Sequence, residues 1–116
     1  MAKTEDLVRR INEFRDARKW RQFHNPKDSA ISLALEAAEV LEHMQWKSGE
    51  ELYEYVKGDG KEELSEELMD VLYWVLVMSC DFNIDIEDAF EKKMKKNEAK
   101  YPTHLASGSA KKYTKF

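Results

Sequence analysis

The sequence has little that would break a helix: four glycines and two prolines in 116 residues. Gly58-Asp59-Gly60 is the clearest interruption. Alternating polar and apolar runs of strand type are also missing, which leaves apolar residues recurring at helical spacing and an all-α chain. Cys80 is the single cysteine, so neither an intramolecular disulfide nor a cysteine zinc site can form within one chain. No apolar run reaches the roughly 20 residues that span a bilayer, and acids stand in Met1 to Arg10 where a leader would need an apolar core. The expectation is a soluble, cytoplasmic protein without a membrane partner. A basic block is lacking too. Lysine and arginine number 19 against 23 acids, a net charge of -4, and a nucleic-acid backbone requires many cations together. The late lysines, from Lys92 to Lys100, are the one local excess.

What is present is 42% hydrophobic and 36% charged, the balance of a globular chain. Thr4 is placed to cap a first helix with Glu5 and Asp6 in its first turn and Leu7, Ile11 and Phe14 on its apolar stripe. Asn25-Pro26 opens a second, stopped by Ser48-Gly49. Glu50 to Val56 predicts a short helical turn, Lys61 to about Cys80 a long helix, and Ile86 to Lys100 a last one capped by Asp85 and ended by Tyr101-Pro102. Thr103 to Phe116 has no periodicity and reads as a flexible tail after a single domain, residues 1–102. The sum is an all-α bundle of four to five helices. From Leu68 to Met78 the long helix is apolar nearly all round, and a helix apolar on every side must be covered on every side. So small a chain predicts a second subunit, in a homodimer or a tetramer of paired dimers.

Acids carry the chemistry. Glu36 and Glu39 stand three residues apart, as do Glu67 and Asp70, and such pairs project about 60° apart from one side of a helix. Asp70 is the only charged residue of Leu68 to Met78, a setting that predicts a buried, partnered acid. If Glu67 and Asp70, on the stripe that also carries Glu63 and Trp74, face Glu36 and Glu39, four carboxylates converge with no lysine or arginine on either local face. Such a cluster keeps protons or binds cations. All-oxygen donors with room for water and phosphate suit Mg²⁺ or Mn²⁺ rather than zinc. A di-iron carboxylate bundle needs Glu-x-x-His, and none of His24, His43 or His104 follows a glutamate at that spacing.

Trp20-Arg21-Gln22-Phe23-His24-Asn25-Pro26, Leu35-Glu36-Ala37-Ala38-Glu39-Val40, Gln45-Trp46-Lys47, Glu66-Glu67-Leu68-Met69-Asp70-Val71-Leu72, and Lys93-Met94 with Asn97 and Tyr101-Pro102 follow in order. Together they resemble the MazG-like all-α nucleoside triphosphate pyrophosphohydrolases, nearest the dCTP pyrophosphatase-like branch. The resemblance implies hydrolysis between the α and β phosphates to a monophosphate and pyrophosphate, with Mg²⁺ held by Glu36, Glu39, Glu67 and Asp70 as the catalytic acids. It further implies substrate contacts from Trp20, Trp46, Trp74, Lys93, Asn97 and Tyr101, and a role in removing surplus nucleotides. Leu35, Trp74 and Ile11 depart from that pattern: Leu35 stands for a first glutamate, Trp74 for a nucleotide-touching tyrosine, and Ile11 for a polar pocket residue. A dUTPase-like or phosphoribosyl-ATP pyrophosphohydrolase activity is the enzymatic alternative, and a non-catalytic helical dimerisation module the other.

Overall fold

In the computed structural model, which describes residues 3–115, the chain is helical throughout. Six α-helices are seen among the described residues: α1 Thr4–Ala17, α2 Pro26–Met44, α3 Glu50–Lys57, α4 Lys61–Asp81, α5 Ile86–Lys100 and α6 Thr103–Ala106. Short 3₁₀ turns cover Arg21–Phe23 and Tyr113–Lys115. The helix beyond the expected four or five is α6, a four-residue turn within the segment that lacks periodicity.

The boundaries follow local chemistry. The Asn25 side chain accepts the Asp28 N–H at 2.9 Å with Pro26 in the first turn of α2, and Asp85 does the same for Asp88 at the start of α5. Two ends differ from expectation. Thr4 lies inside α1 while Lys3 holds the cap position, because the Asp6 carboxylate reaches back to the Lys3 N–H. Helix α2 stops at Met44, short of Ser48-Gly49: the Lys47 ammonium donates to the His43 carbonyl at 2.8 Å, and Trp46 turns the chain with φ of 69°. At Gly60, before α4, a Cβ would come within 2.3 Å of the Tyr55 ring, so only glycine lets that ring lie where it does.

The chain divides into two compact units, one up to Asn83 and one from Ile84 onward. In the first, α4 is the central rod, with α2 packed along it most extensively and α1 and α3 against other parts of it. Its buried apolar side chains are Leu64, Leu76 and Val77, all on α4. Much of the rest of that rod is uncovered: Leu68 and Met69 are 50% and 57% exposed, and Leu35 on α2 is 61% exposed. In the second unit, α5 leads into α6, and Tyr101 meets Tyr113 edge to face. No helix among the described residues is long and apolar enough to cross a membrane.

Candidate functional site

The packing of α2 on α4 decides which acids meet. Glu36 from α2 and Glu67 and Asp70 from α4 each bring one carboxylate oxygen to a common point, all within 4.8 Å of one another. Glu36 and Glu67 are half-buried and Asp70 is exposed. The apolar run around Asp70 predicts a buried acid, and the single chain does not bury it. The reason is physical: neighbouring Leu68, Met69, Leu72 and Val75 are exposed as well, so Asp70 stands on a face left open among the described residues.

Oε2 of both Glu36 and Glu67 is buried without a hydrogen-bond partner. Orphaned carboxylate oxygens are costly, and here like charges add to the cost. Loss of hydration, then the nearby carboxylates of Glu39, Asp70 and Glu67, push the Glu36 carboxyl up to about 7. Sharing of a proton with Glu39 does most to raise Glu67, against the lowering influence of His43. Glu39 thus lies beside the trio, close enough to act on both Glu36 and Glu67. His43, one turn beyond Glu39, places Nε2 3.6 Å from Glu67 and Nδ1 3.9 Å from Glu63, while its Nδ1 lies 2.6 Å from the Tyr55 hydroxyl.

Next to the acids opens a cleft of about 450 Å³, lined by Glu36 and Asp70 together with Arg10, Ile11, Phe14, Trp20, His24, Tyr73 and Trp74. Its rings interlock edge to face: Phe14 on Trp20 at 5.4 Å, Phe14 on Tyr73 at 6.3 Å, Tyr73 on Trp74 at 5.2 Å and His24 on Trp74 at 5.2 Å. Of the expected site residues, Glu36, Asp70, Trp20 and Trp74 thus share one cleft, with Glu67 in the adjoining trio. Trp46 stands apart, 91% exposed. Lys93 and Asn97 lie on α5, with Tyr101 at its C-cap, all in the second unit.

Several lining residues escape a reading of single motifs. Arg10 and Phe14 are four residues apart on one face of α1, a spacing visible in the sequence, yet nothing local says that this face meets Trp74. His43 likewise shares the face of Glu36 and Glu39. Arg15 and Asp81, 66 positions apart, give no local signal at all.

Known proteins supply an independent comparison. The chain is 38% identical over 111 residues to dCTP pyrophosphatase 1 of Rattus norvegicus and 37% identical over 111 residues to that of Homo sapiens. Each match takes in 95% of this chain, which spans 65% of the length of either relative. The crystal structure of a pyrophosphatase from Archaeoglobus fulgidus superposes with a TM-score of 0.81 at 40% identity, over 88% of this chain and 94% of that one. A sequence model of the MazG-like family matches residues 31–116, a span that carries Glu36, Glu67 and Asp70, and the chain belongs to that family.

Proposed function

We propose that the chain is a nucleoside triphosphate pyrophosphohydrolase that cleaves between the α and β phosphates, prefers dCTP and works with Mg²⁺. The observation that carries this reading is the trio itself: two buried carboxylate oxygens without partners, beside a third acid, at the edge of an aromatic cleft. The names of the mammalian and archaeal relatives support the reaction class and the base.

The donor set fits a hard cation, since every converging ligand is a carboxylate oxygen. Glu36, Glu67 and Asp70 would hold Mg²⁺, with Mn²⁺ as a substitute. A cation held there would supply neutralisation of phosphate charge and a more acidic water for attack. Glu39, against Glu36 and Glu67 yet outside the trio, is the carboxylate available to take a proton from the attacking water. Trp20 and Trp74 offer aromatic faces to a base, and Arg10 is the cleft's cation for a phosphate. Lys93, Asn97 and Tyr101 enter as substrate-binding candidates on the resemblance alone.

The functional form is a homodimer in this reading. The exposed apolar residues of α4 and Leu35 on α2 are large side chains of the kind an interface buries. Trp46, 91% exposed, is then available to a partner copy, and its expected contact with the nucleotide belongs to the assembled dimer.

Pyrophosphate release across canonical and modified nucleoside triphosphates, with and without Mg²⁺, tests the activity. Metal-dependent release with dCTP ranked first is the expected result. Preference for dUTP or phosphoribosyl-ATP would move the substrate, and no release from any of them would leave a helical dimerisation module. Light scattering tests the assembly, and a monodisperse monomer would contradict it.

A further inference from the structure

Arg15 is fully buried, at 0% exposure, although it carries a permanent charge. Its guanidinium donates to both Asp81 carboxylate oxygens at 2.9 and 3.0 Å, to the Asn12 Oδ1 at 2.7 Å, and to the His24 Nδ1 at 3.2 Å. Asp81 alone balances the charge, and the Asn12 contact helps to hold the plane of the fork. The fourth bond decides something else. A guanidinium has donors only, so the nitrogen facing it must accept. A neutral imidazole that accepts at Nδ1 carries its proton on Nε2. The same His24 ring lies on the wall of the cleft, edge-on to Trp74 at 5.2 Å.

We propose that Arg15 is a positioning residue that locks His24 in the Nε2–H tautomer, so that the cleft presents a fixed hydrogen-bond donor beside Trp74 to an acceptor atom on a nucleobase. Burial and the Arg15 charge hold the His24 pKa below its ordinary value, with Asp81 opposing them, which keeps the ring neutral. The donor is made without a charge and without a free rotor. A base bearing a carbonyl oxygen or an unprotonated ring nitrogen meets it at no cost of reorienting the ring, whereas a donor in that position meets another donor. The inference deepens the nucleotide reading of the cleft and rests on it for the ligand; the tautomer stands on the Arg15–His24 contact.

Imidazole ¹⁵N shifts of the metal-free full chain at about pH 8, well above the ordinary histidine value, read the tautomer directly. The expected result is an unprotonated Nδ1 and a protonated Nε2 for His24. Arg15→Lys, still a donor only, keeps that pattern. Arg15→Gln, whose amide oxygen can accept, admits the other tautomer. With dCTP and Mg²⁺, Arg15→Gln raises KM roughly tenfold, the loss of one hydrogen bond, at nearly unchanged kcat, and Arg15→Lys restores most of it. Because Arg15→Gln leaves Asp81 unpaired, the double variant Arg15→Gln/Asp81→Asn, a neutral pair of similar shape, repeats the measurement in a chain free of that charge. A wild-type His24 protonated on Nδ1, or folded variants with mixed tautomer and unchanged KM, would overturn the proposal. A wild-type chain that turns over no triphosphate would overturn its ligand half, with the shifts deciding the tautomer independently.

Discussion

Two aspartates on α4, roughly three turns apart, have opposite surroundings. Asp81, near the end, is gripped by the buried Arg15 through two hydrogen bonds. Asp70, near the middle, pairs with no cation among the described residues and meets two further acids, whose Oε2 atoms are buried and unpartnered. One helix therefore carries a closed polar network and an open one. The closed network balances its charges within the chain and ties α1 to the end of α4, although the Arg15 Nε is itself buried without a partner. The open one holds like charges together, a cost that either a retained proton or a cation relieves.

Breaking each network should produce opposite phenotypes. Asp70→Asn removes one of the oxygens proposed to hold the metal, and a catalytic cation supplies several kcal/mol of charge stabilisation, so turnover should fall on the order of a thousandfold if the proposed function is right. Its metal-free melting temperature should hold or rise as repulsion within the trio is relieved. Full activity in Asp70→Asn, read by pyrophosphate release, would end the contrast. Arg15→Met acts on the other network. Asp81 keeps some solvent contact, with 28% of its side chain exposed, so the loss falls towards the low end for a broken buried pair, about 3 kcal/mol in urea unfolding.

Acid and metal sharpen the comparison further. Glu36 has a folded-state pKa of about 7 against an ordinary 4.5, so its protonated form favours folding. That contribution is whole below about 4.5 and disappears as pH rises through about 7. Between those values, thermal melts of the metal-free chain should show this stabilisation declining. Mg²⁺ must displace the same proton, so its affinity by calorimetry should increase over the same interval. Saturating Mg²⁺ should raise the melting temperature at neutral pH, by about 2.7 kcal/mol of stabilisation at a hundredfold excess over Kd, and should do so much less in Asp70→Asn. The smallest effect belongs to Trp46→Ala. As an exposed side chain outside both networks, it should change the stability of the isolated subunit by less than about 0.5 kcal/mol. Any larger change would have to come from a partner copy, which concentration-dependent melts would reveal.

Much of the fold was readable because helix limits are local events. Asn25-Pro26, Gly58-Asp59-Gly60 and Asp85 act on residues within one turn of themselves, and the helices begin beside them. The errors had local causes as well, which single-residue preferences do not weigh: Asp6 reaching back to Lys3, and Lys47 capping α2 early. The acids were legible through their spacing. Their burial was not, because an apolar run states that a face wants covering and cannot state whether its own chain provides the cover. Asp70 was expected inside and is exposed for that reason.

From its residues alone, then, this protein was bound to be helical, to place Glu36 with Glu39 and Glu67 with Asp70 on helix faces, and to carry an apolar rod that wants covering. Those properties depend on the 3.6-residue period and on side-chain polarity, which each segment carries with it. The tertiary structure decided that Glu36, Glu67 and Asp70 bring oxygens to one point with Glu39 beside them, that Arg10, Phe14 and Tyr73 complete the cleft, and that Arg15 meets Asp81 and His24. Contacts between segments far apart in the chain depend on the angle and register at which α1, α2 and α4 pack, and no single segment contains that information.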